Sequence, residues 1–289
     1  MTGFAPCHCT QHRFWDTIMA TRFSVIVEVP DSEAGRVRAV AEELFDEMRR
    51  LESLLSRFIE DSEISQINRL AIGESTVVSP ETHRCLELAL EAKRSTWGYF
   101  DVAYLSEGVA EGGEAFALLS RPLRVVSSAK TLCLDLGGIG KGFALEHGSE
   151  ILLRYGYSRA LLSAGDSTVL AMEPPQGTKG WPVQLEPDDD HEGQVKTLEL
   201  ANEALSCSGK SVRGEHIFNT RQGKYVTNRN RVYVRLPSAA LSDAFSTAAM
   251  TYPNENGPED RQAPGVQDIF PGLLCSGLCR PKMWRATTT

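Results

Sequence analysis

Between Thr21 and Val29 apolar side chains fall on every second position, at Phe23, Val25, Val27 and Val29. That period predicts a half-buried β-strand. The period then changes. Asp31 and Ser32 supply capping groups, and Val37, Val40, Leu44, Met48, Leu51 and Leu55 recur at spacings of three and four. Glu42, Glu43, Glu47 and Arg49 lie on the other side. This is an amphipathic helix. Residues 54–68 leave that helix and turn polar. A second helix is expected from Pro80 to Trp97, with Ser79 as cap, Pro80 in the first turn and Gly98 as the stop. Residues 102–130 read as irregular. Leu132–Leu136 reads as a buried strand, followed by Gly137, Gly138, Gly140 and Gly142 and by a helix from Lys141 or Gly142 to Tyr155. Arg159–Ala164 and Ser167–Ala171 read as a strand pair about Gly165-Asp166. Further strands fit Trp181–Leu185, Val195–Leu200, Ala204–Ser208 and Arg231–Leu236, and Leu241–Met250 reads as a helix of small apolar residues.

The periodic pattern fails at both ends. Residues 1–18 read as an N-terminal tail. Beyond Tyr252 prolines and glycines break every apolar period, so 252–289 reads as an irregular C-terminal tail. No linker divides the interior, and 19–251 is expected to be one domain. Helices and strands are interspersed and several strands are neighbours in sequence, which predicts an α+β fold.

Composition narrows the function. The chain has 289 residues, 42% of them hydrophobic and 24% charged, enough to bury a core without disulfides or metals. A formal net charge of −8 argues against nucleic acid as a partner. No apolar run is long enough for a membrane span, and the first residues show neither a signal peptide nor a lipobox cysteine, so a cytoplasmic protein is expected. The seven cysteines are odd in number and scattered, as in a reducing compartment. Cys7-x-Cys9 beside His8 and His12, and Cys275-x3-Cys279, lack the usual zinc spacing.

Three segments could carry chemistry. Leu134–Phe143 (LDLGGIGKGF) places a glycine-rich turn and Lys141 at a helix start. Glycines let the backbone approach an anion, and a helix N-terminus offers N–H donors. The spacing matches neither the dinucleotide fingerprint nor the P-loop, so a plain tight turn with a solvated lysine reads equally well. Asp243 and Thr247 stand four residues apart, on one helix face. They are hard oxygen donors suited to Mg²⁺, or else a cap and an ordinary helix threonine. His216, in Gly214–Gly223, is either a base, since imidazole as a residue type can exchange a proton near neutrality, or a structural histidine.

In order along the chain these segments, with four others, resemble the ApbE family of flavin transferases. The matching motifs are Met19-Ala20-Thr21, Ser56-Arg57-Phe58 through Asn68, Phe100-Asp101, Asp135 to Ala144, Ala164-Gly165-Asp166, Ser208-Gly209 with His216-Ile217-Phe218, and Asp243-Ala244-Phe245-Ser246-Thr247. The likeness spans roughly residues 19–250. It implies a single-domain, T-fold-like α+β architecture of mixed sheets and packed helices. It also implies a Mg²⁺-dependent FAD:protein FMN transferase. Such an enzyme cleaves FAD, releases AMP and attaches FMN through a phosphoester to a Thr or Ser of a target flavoprotein. By the resemblance Asp243, Thr247 and the carbonyl of Ala144 hold the metal. Met19, Phe58, Tyr99, Phe100, Asp101, Lys141, His147 and Ile217 contact FAD. His216, together with the metal-bearing Asp243, is catalytic, as base or as transient phosphoryl acceptor. An FAD pyrophosphatase, with water as acceptor, and a non-catalytic flavin-binding protein would use the same residues. The chain departs from the family pattern at Ala20 and Ala164, usually Gly, at Glu146, usually Asp, at Asn219-Thr220, usually Asp-Pro, and in everything after Tyr252.

Overall fold

The computed structural model describes residues 9–187, 196–209, 218–219, 224–225, 232–251, 273–276 and 279–280. The chain opens with a hairpin of β1 (Cys9–Ile18) and β2 (Thr21–Pro30). Next come α1 (Ala34–Leu55), α2 (Glu63–Ile67), β3 (Ser75–Val77), α3 (Pro80–Ser95), β4 (Phe116–Ser120), β5 (Leu123–Ser127) and α4 (Gly140–Arg154). Then follow β6 (Ala160–Ala164), β7 (Thr168–Ala171), β8 (Trp181–Pro187), β9 (Lys196–Leu200) and β10 (Glu203–Ser208). The described part ends with β11 (Phe218–Asn219), β12 (Lys224–Tyr225), β13 (Val232–Leu236), α5 (Ala239–Thr251), β14 (Leu273–Ser276) and β15 (Cys279–Arg280).

The main sheet runs β1-β2-β6-β7-β10-β13-β14 with every pair antiparallel. Its strands alternate between two cores. Phe23, Val25, Val27, Leu162, Leu170, Ala204 and Val234 face the helices α1, α4 and α5. Ile26, Leu161, Val169, Leu205 and Tyr233 face the opposite way, where Trp181, Val183 and Leu185 of β8 and Leu200 of β9 cover them. The helices bury the stripes that their spacing foretold, and Ser79 caps α3 by accepting the Thr82 N–H.

Four expectations are corrected. Residues 9–18 are not tail but strand β1. It lies at the sheet edge with only its even-numbered side half-buried, so no apolar period marks it. Residues 102–130 contain the β4–β5 hairpin, which pairs with β3 in a separate sheet. Leu132–Leu136 joins no ladder. The Leu134 N–H donates to Asn68 Oδ1 at 2.7 Å and its carbonyl accepts from Asn68 Nδ2 at 3.1 Å, so a side chain takes the place of a neighbouring strand. Within 252–289, β14 pairs with β13 and β15 with β8, so that region is not wholly irregular. No described helix is long and apolar enough to cross a membrane.

Candidate active site

α4 and α5 meet end to end over the helix-facing side of the main sheet. The approach is so close that a Cβ on Gly142 would stand 2.1 Å from the Ala239 carbonyl oxygen, so only glycine fits there. Ser238 and Glu146 fix the start of α5. Glu146 Oε1 accepts from Ser238 Oγ at 2.6 Å and from the Ala240 N–H at 3.1 Å. The carboxylate at the position where the family carries Asp therefore caps a neighbouring helix.

Asp243, one turn into α5, is 3% exposed. Its Oδ2 lies 3.3 Å from Lys141 Nζ and 3.4 Å from the Gly142 N–H, while Oδ1 accepts from Thr168 Oγ1 at 3.3 Å. The carboxylate thus sits at the positive end of α4 with one cation beside it. Thr247, a turn further along, donates to the Asp243 carbonyl at 3.2 Å and lies 3.4 Å from Ser208 Oγ, which also pairs with Ser246 Oγ at 2.8 Å. Ser206 stands on the same face of β10, fully buried, and its hydroxyl has no partner among the described residues.

The glycine turn closes over this cluster. A Cβ on Gly138 would come within 3.1 Å of both Thr247 Oγ1 and Phe100 Cε2. Lys141 Nζ also donates to the Gly137 carbonyl at 3.2 Å, and Asp135 Oδ1 accepts the Gly137 N–H at 2.9 Å. Asp135 in turn pairs with Arg57 at 3.1 Å, and the Arg57 guanidinium lies 4.6 Å from the centre of the Phe58 ring. Phe58 is 82% exposed beside the turn, an apolar surface free to stack on a planar ring.

Tyr99 and Phe100 are buried, and the Tyr99 carbonyl accepts from Thr251 Oγ1 at 3.1 Å, which ties this segment to the end of α5. Asp101 accepts the Ala103 N–H at 2.8 Å and pairs with Lys93 at 2.9 Å. Burial disfavours the Lys93 charge, but Glu114 and Asp101 outweigh it and hold the ammonium above the ordinary lysine value. Met19 is half-buried at the β1–β2 turn. There Thr21 abuts Gly165, where a Cβ would lie 2.4 Å from Thr21 Oγ1.

The structure therefore joins Asp243, Thr247, Lys141 and Phe100 directly, with Phe58 linked through Arg57 and Asp135. Ala144 is buried two residues past Gly142; as a helical residue its carbonyl already faces the i+4 backbone donor. His147 turns elsewhere. Its ring packs on Phe143 at 4.6 Å and its Nδ1 lies 3.6 Å from Glu47 of α1. His216 and Ile217 lie outside the described residues. Thr168 and Ser206 were missed from sequence, where their sole signal is a hydroxyl inside an otherwise apolar strand.

Among the described residues no three His, Cys, Asp or Glu side chains gather as a metal site. The donor set here is one carboxylate and hydroxyls, with the space that Gly138 leaves next to Thr247 and an unpartnered Ser206 hydroxyl. Hard oxygens of this kind fit Mg²⁺ rather than a soft metal.

The sequence model of the ApbE family matches residues 19–270. The FAD:protein FMN transferase of Klebsiella pneumoniae (strain 342) is 24% identical, over 88% of this chain and 78% of that protein. The protein of the same name from Rhodobacter capsulatus is 25% identical, over 84% of this chain and 51% of its own length. Among solved structures, the flavin transferase ApbE from Vibrio cholerae superposes with a TM-score of 0.74 at 19% identity, covering 86% of this chain and 89% of that one. The apo flavinyl transferase ApbE of Pseudomonas stutzeri gives 0.73 at 20% identity, covering 86% of each. These likenesses agree with the α+β fold, and with a family match over most of the sequence the chain belongs to the ApbE family.

Proposed function

We propose that this protein is a Mg²⁺-dependent FAD:protein FMN transferase, which cleaves FAD, releases AMP and leaves FMN on a Ser or Thr hydroxyl of a target flavoprotein. The observation that carries the reading is the buried Asp243 carboxylate, held by Lys141, Gly142 and Thr168 beneath a glycine turn and one helical turn from Thr247. A buried carboxylate aligned with a hydroxyl is costly for stability alone and useful for holding a cation. Relatives that share the family are named for this activity.

Asp243 and Thr247 would be the side-chain ligands, with the Ala144 carbonyl, which the family resemblance implies as a third, able to join through the lone pair that its helix bond leaves unused. A Mg²⁺ held by these residues would supply positive charge to offset that of the phosphates. Lys141 adds a positive charge at the start of α4, and Gly137-Gly138 let the phosphate-bearing chain approach the backbone. Phe58 and Phe100 give the flavin or adenine apolar surfaces, and Asp101, held by Lys93, accepts hydrogen bonds from the substrate. His216 takes the proton of the attacking hydroxyl. The negative formal charge agrees with a small-molecule and protein substrate pair.

The test is a reaction of purified protein with FAD, Mg²⁺ and an acceptor polypeptide bearing a Ser/Thr site, with and without EDTA. Covalent flavin on the acceptor and AMP in equal amount, both abolished by EDTA, are expected. AMP and free FMN without covalent flavin would make the protein a pyrophosphatase. FAD binding without cleavage would make it a carrier. His216→Ala should slow transfer more than it weakens FAD binding; a change in affinity alone would make His216 a binding residue.

A further inference from the structure

β1 ends the main sheet, and among the described residues nothing pairs with its outer edge. We infer that this edge pairs antiparallel with β1 of a second copy of the chain, about a two-fold axis through Phe14. Ile18 and Thr21 close a two-residue turn at Met19 and Ala20, so even-numbered residues of β1 bond to β2. The rest of the sheet agrees, because the Arg22 carbonyl and the Glu28 N–H already serve Gly165 and Arg159 on the other side of β2. The outward N–H and C=O groups of β1 therefore belong to Gln11, Arg13, Trp15 and Thr17.

An edge ten residues long that no described strand covers is an invitation to pairing, and proteins usually blunt such edges. Here it carries Trp15, 58% exposed, with the Arg22 guanidinium 4.6 Å from its ring. The sequence Thr10-Gln11-His12-Arg13-Phe14-Trp15-Asp16-Thr17 complements itself when read against a reversed copy centred on Phe14. Arg13 then stands opposite Trp15, and that ring gains a second guanidinium besides Arg22. His12 stands opposite Asp16, and Phe14 meets Phe14 beneath the two α1 helices, where Arg38 already lies 5.4 Å from its ring. Gln11 and Thr17 fall opposite each other. In this register the outward-pointing residues Arg13 and Trp15, and Gln11 and Thr17, form the hydrogen-bonded pairs, as the ladder requires. Centring one residue earlier or later in that parity sets Phe14 against His12 or against Asp16 and separates His12 from Asp16.

The test is the oligomeric state over a range of concentrations by sedimentation. A dimer is expected. Trp15→Pro removes an outward N–H that β2 does not use, so the hairpin tolerates it, as edge strands tolerate proline. It should weaken the dimer at least ~100-fold, by loss of ladder bonds and of an aromatic anchor. Arg13→Glu, at an exposed position, should weaken it at least ~10-fold and decides the matter if the proline variant fails to fold. A wild-type chain that stays monomeric at every concentration overturns the inference. So does a dimer that neither substitution weakens, because the copies would then meet through another surface.

Discussion

The two faces of the main sheet are made by the same strands and carry different chemistry. On β7, Thr168 and Leu170 point to the helices while Val169 and Ala171 point to β8–β9. On β10, Ala204, Ser206 and Ser208 point to the helices while Leu205 points away. The face under β8–β9 is nearly all hydrocarbon, sealed by the fully buried Trp181. The helix face is hydrocarbon beneath α1 and turns polar where α4 and α5 meet. Thr168, Ser206 and Ser208 there surround Asp243, Ser246 and Thr247. Strand alternation lets one segment serve both purposes. The dry face supplies rigidity, and the polar corner spends part of it to hold a carboxylate in a site that water hardly reaches.

Substitutions that strike one face and spare the other break this comparison in order of size. Trp181→Ala should destabilise by ~3–5 kcal/mol through the cavity it leaves and the loss of its hydrogen bond to the Glu173 carbonyl, read as a denaturant midpoint. Turnover per folded molecule should not change. Thr168→Val keeps the volume but takes a donor from Asp243. Transfer should slow about 10-fold, as when a residue supporting a metal ligand is lost, while stability falls by only about 1 kcal/mol. If Thr168→Val left transfer intact, the hydroxyl cluster would be packing and nothing more.

A smaller test lies at the turn joining β1 and β2. Ala20 adopts φ 54°, a left-handed conformation that suits the glycine usual in the family. Ala20→Gly should gain about 0.5–1 kcal/mol in thermal unfolding by removing that strain. The smallest effect is far from both faces. Glu81 starts α3, where burial works against its charge but its own helix N–H and Arg50 hold its carboxyl below the ordinary glutamate value. A lowered carboxyl contributes stability above its unfolded value and loses it as the pH falls through the folded one. Glu81→Gln should cost under ~1 kcal/mol at neutral pH, and the difference from wild type should vanish in acid.

Much of this was legible in the chain because local rules decide it. Strand β2 shows a clean period of two, α1 and α3 show helical stripes, and Ser79 caps α3; Asp31 and Ser32 do not cap α1 but lie in a 3-10 turn before it, and α4 and α5 begin within a residue or two of where the pattern places them. What failed depends on distant partners. β1 hides because an edge strand with one half-covered face needs no apolar alternation. Leu132–Leu136 mimics a strand because its apolar residues are buried, while the ladder they lack is replaced by Asn68. The same division runs through the site. Asp243, Thr247 and Lys141 stand out within short motifs, but Thr168 gains its role only because β7 lies beside β10 beneath α5. His147 stands close to Lys141 in sequence, yet its place on the helix turns its ring toward α1.

Asp243 is the one carboxylate at the α4–α5 junction among the described residues on which the proposed metal binding depends. The direct measurement is the rate of covalent flavin attachment by Asp243→Asn at saturating FAD and Mg²⁺, with the unfolding midpoint taken on the same sample. The amide keeps the shape and loses the charge. A fall of about 1,000-fold or more, in a variant that stays folded, is expected if this carboxylate holds the metal at the phosphates. A folded Asp243→Asn protein that transfers flavin within about tenfold of wild type would contradict the assignment and move the metal away from the α4–α5 junction.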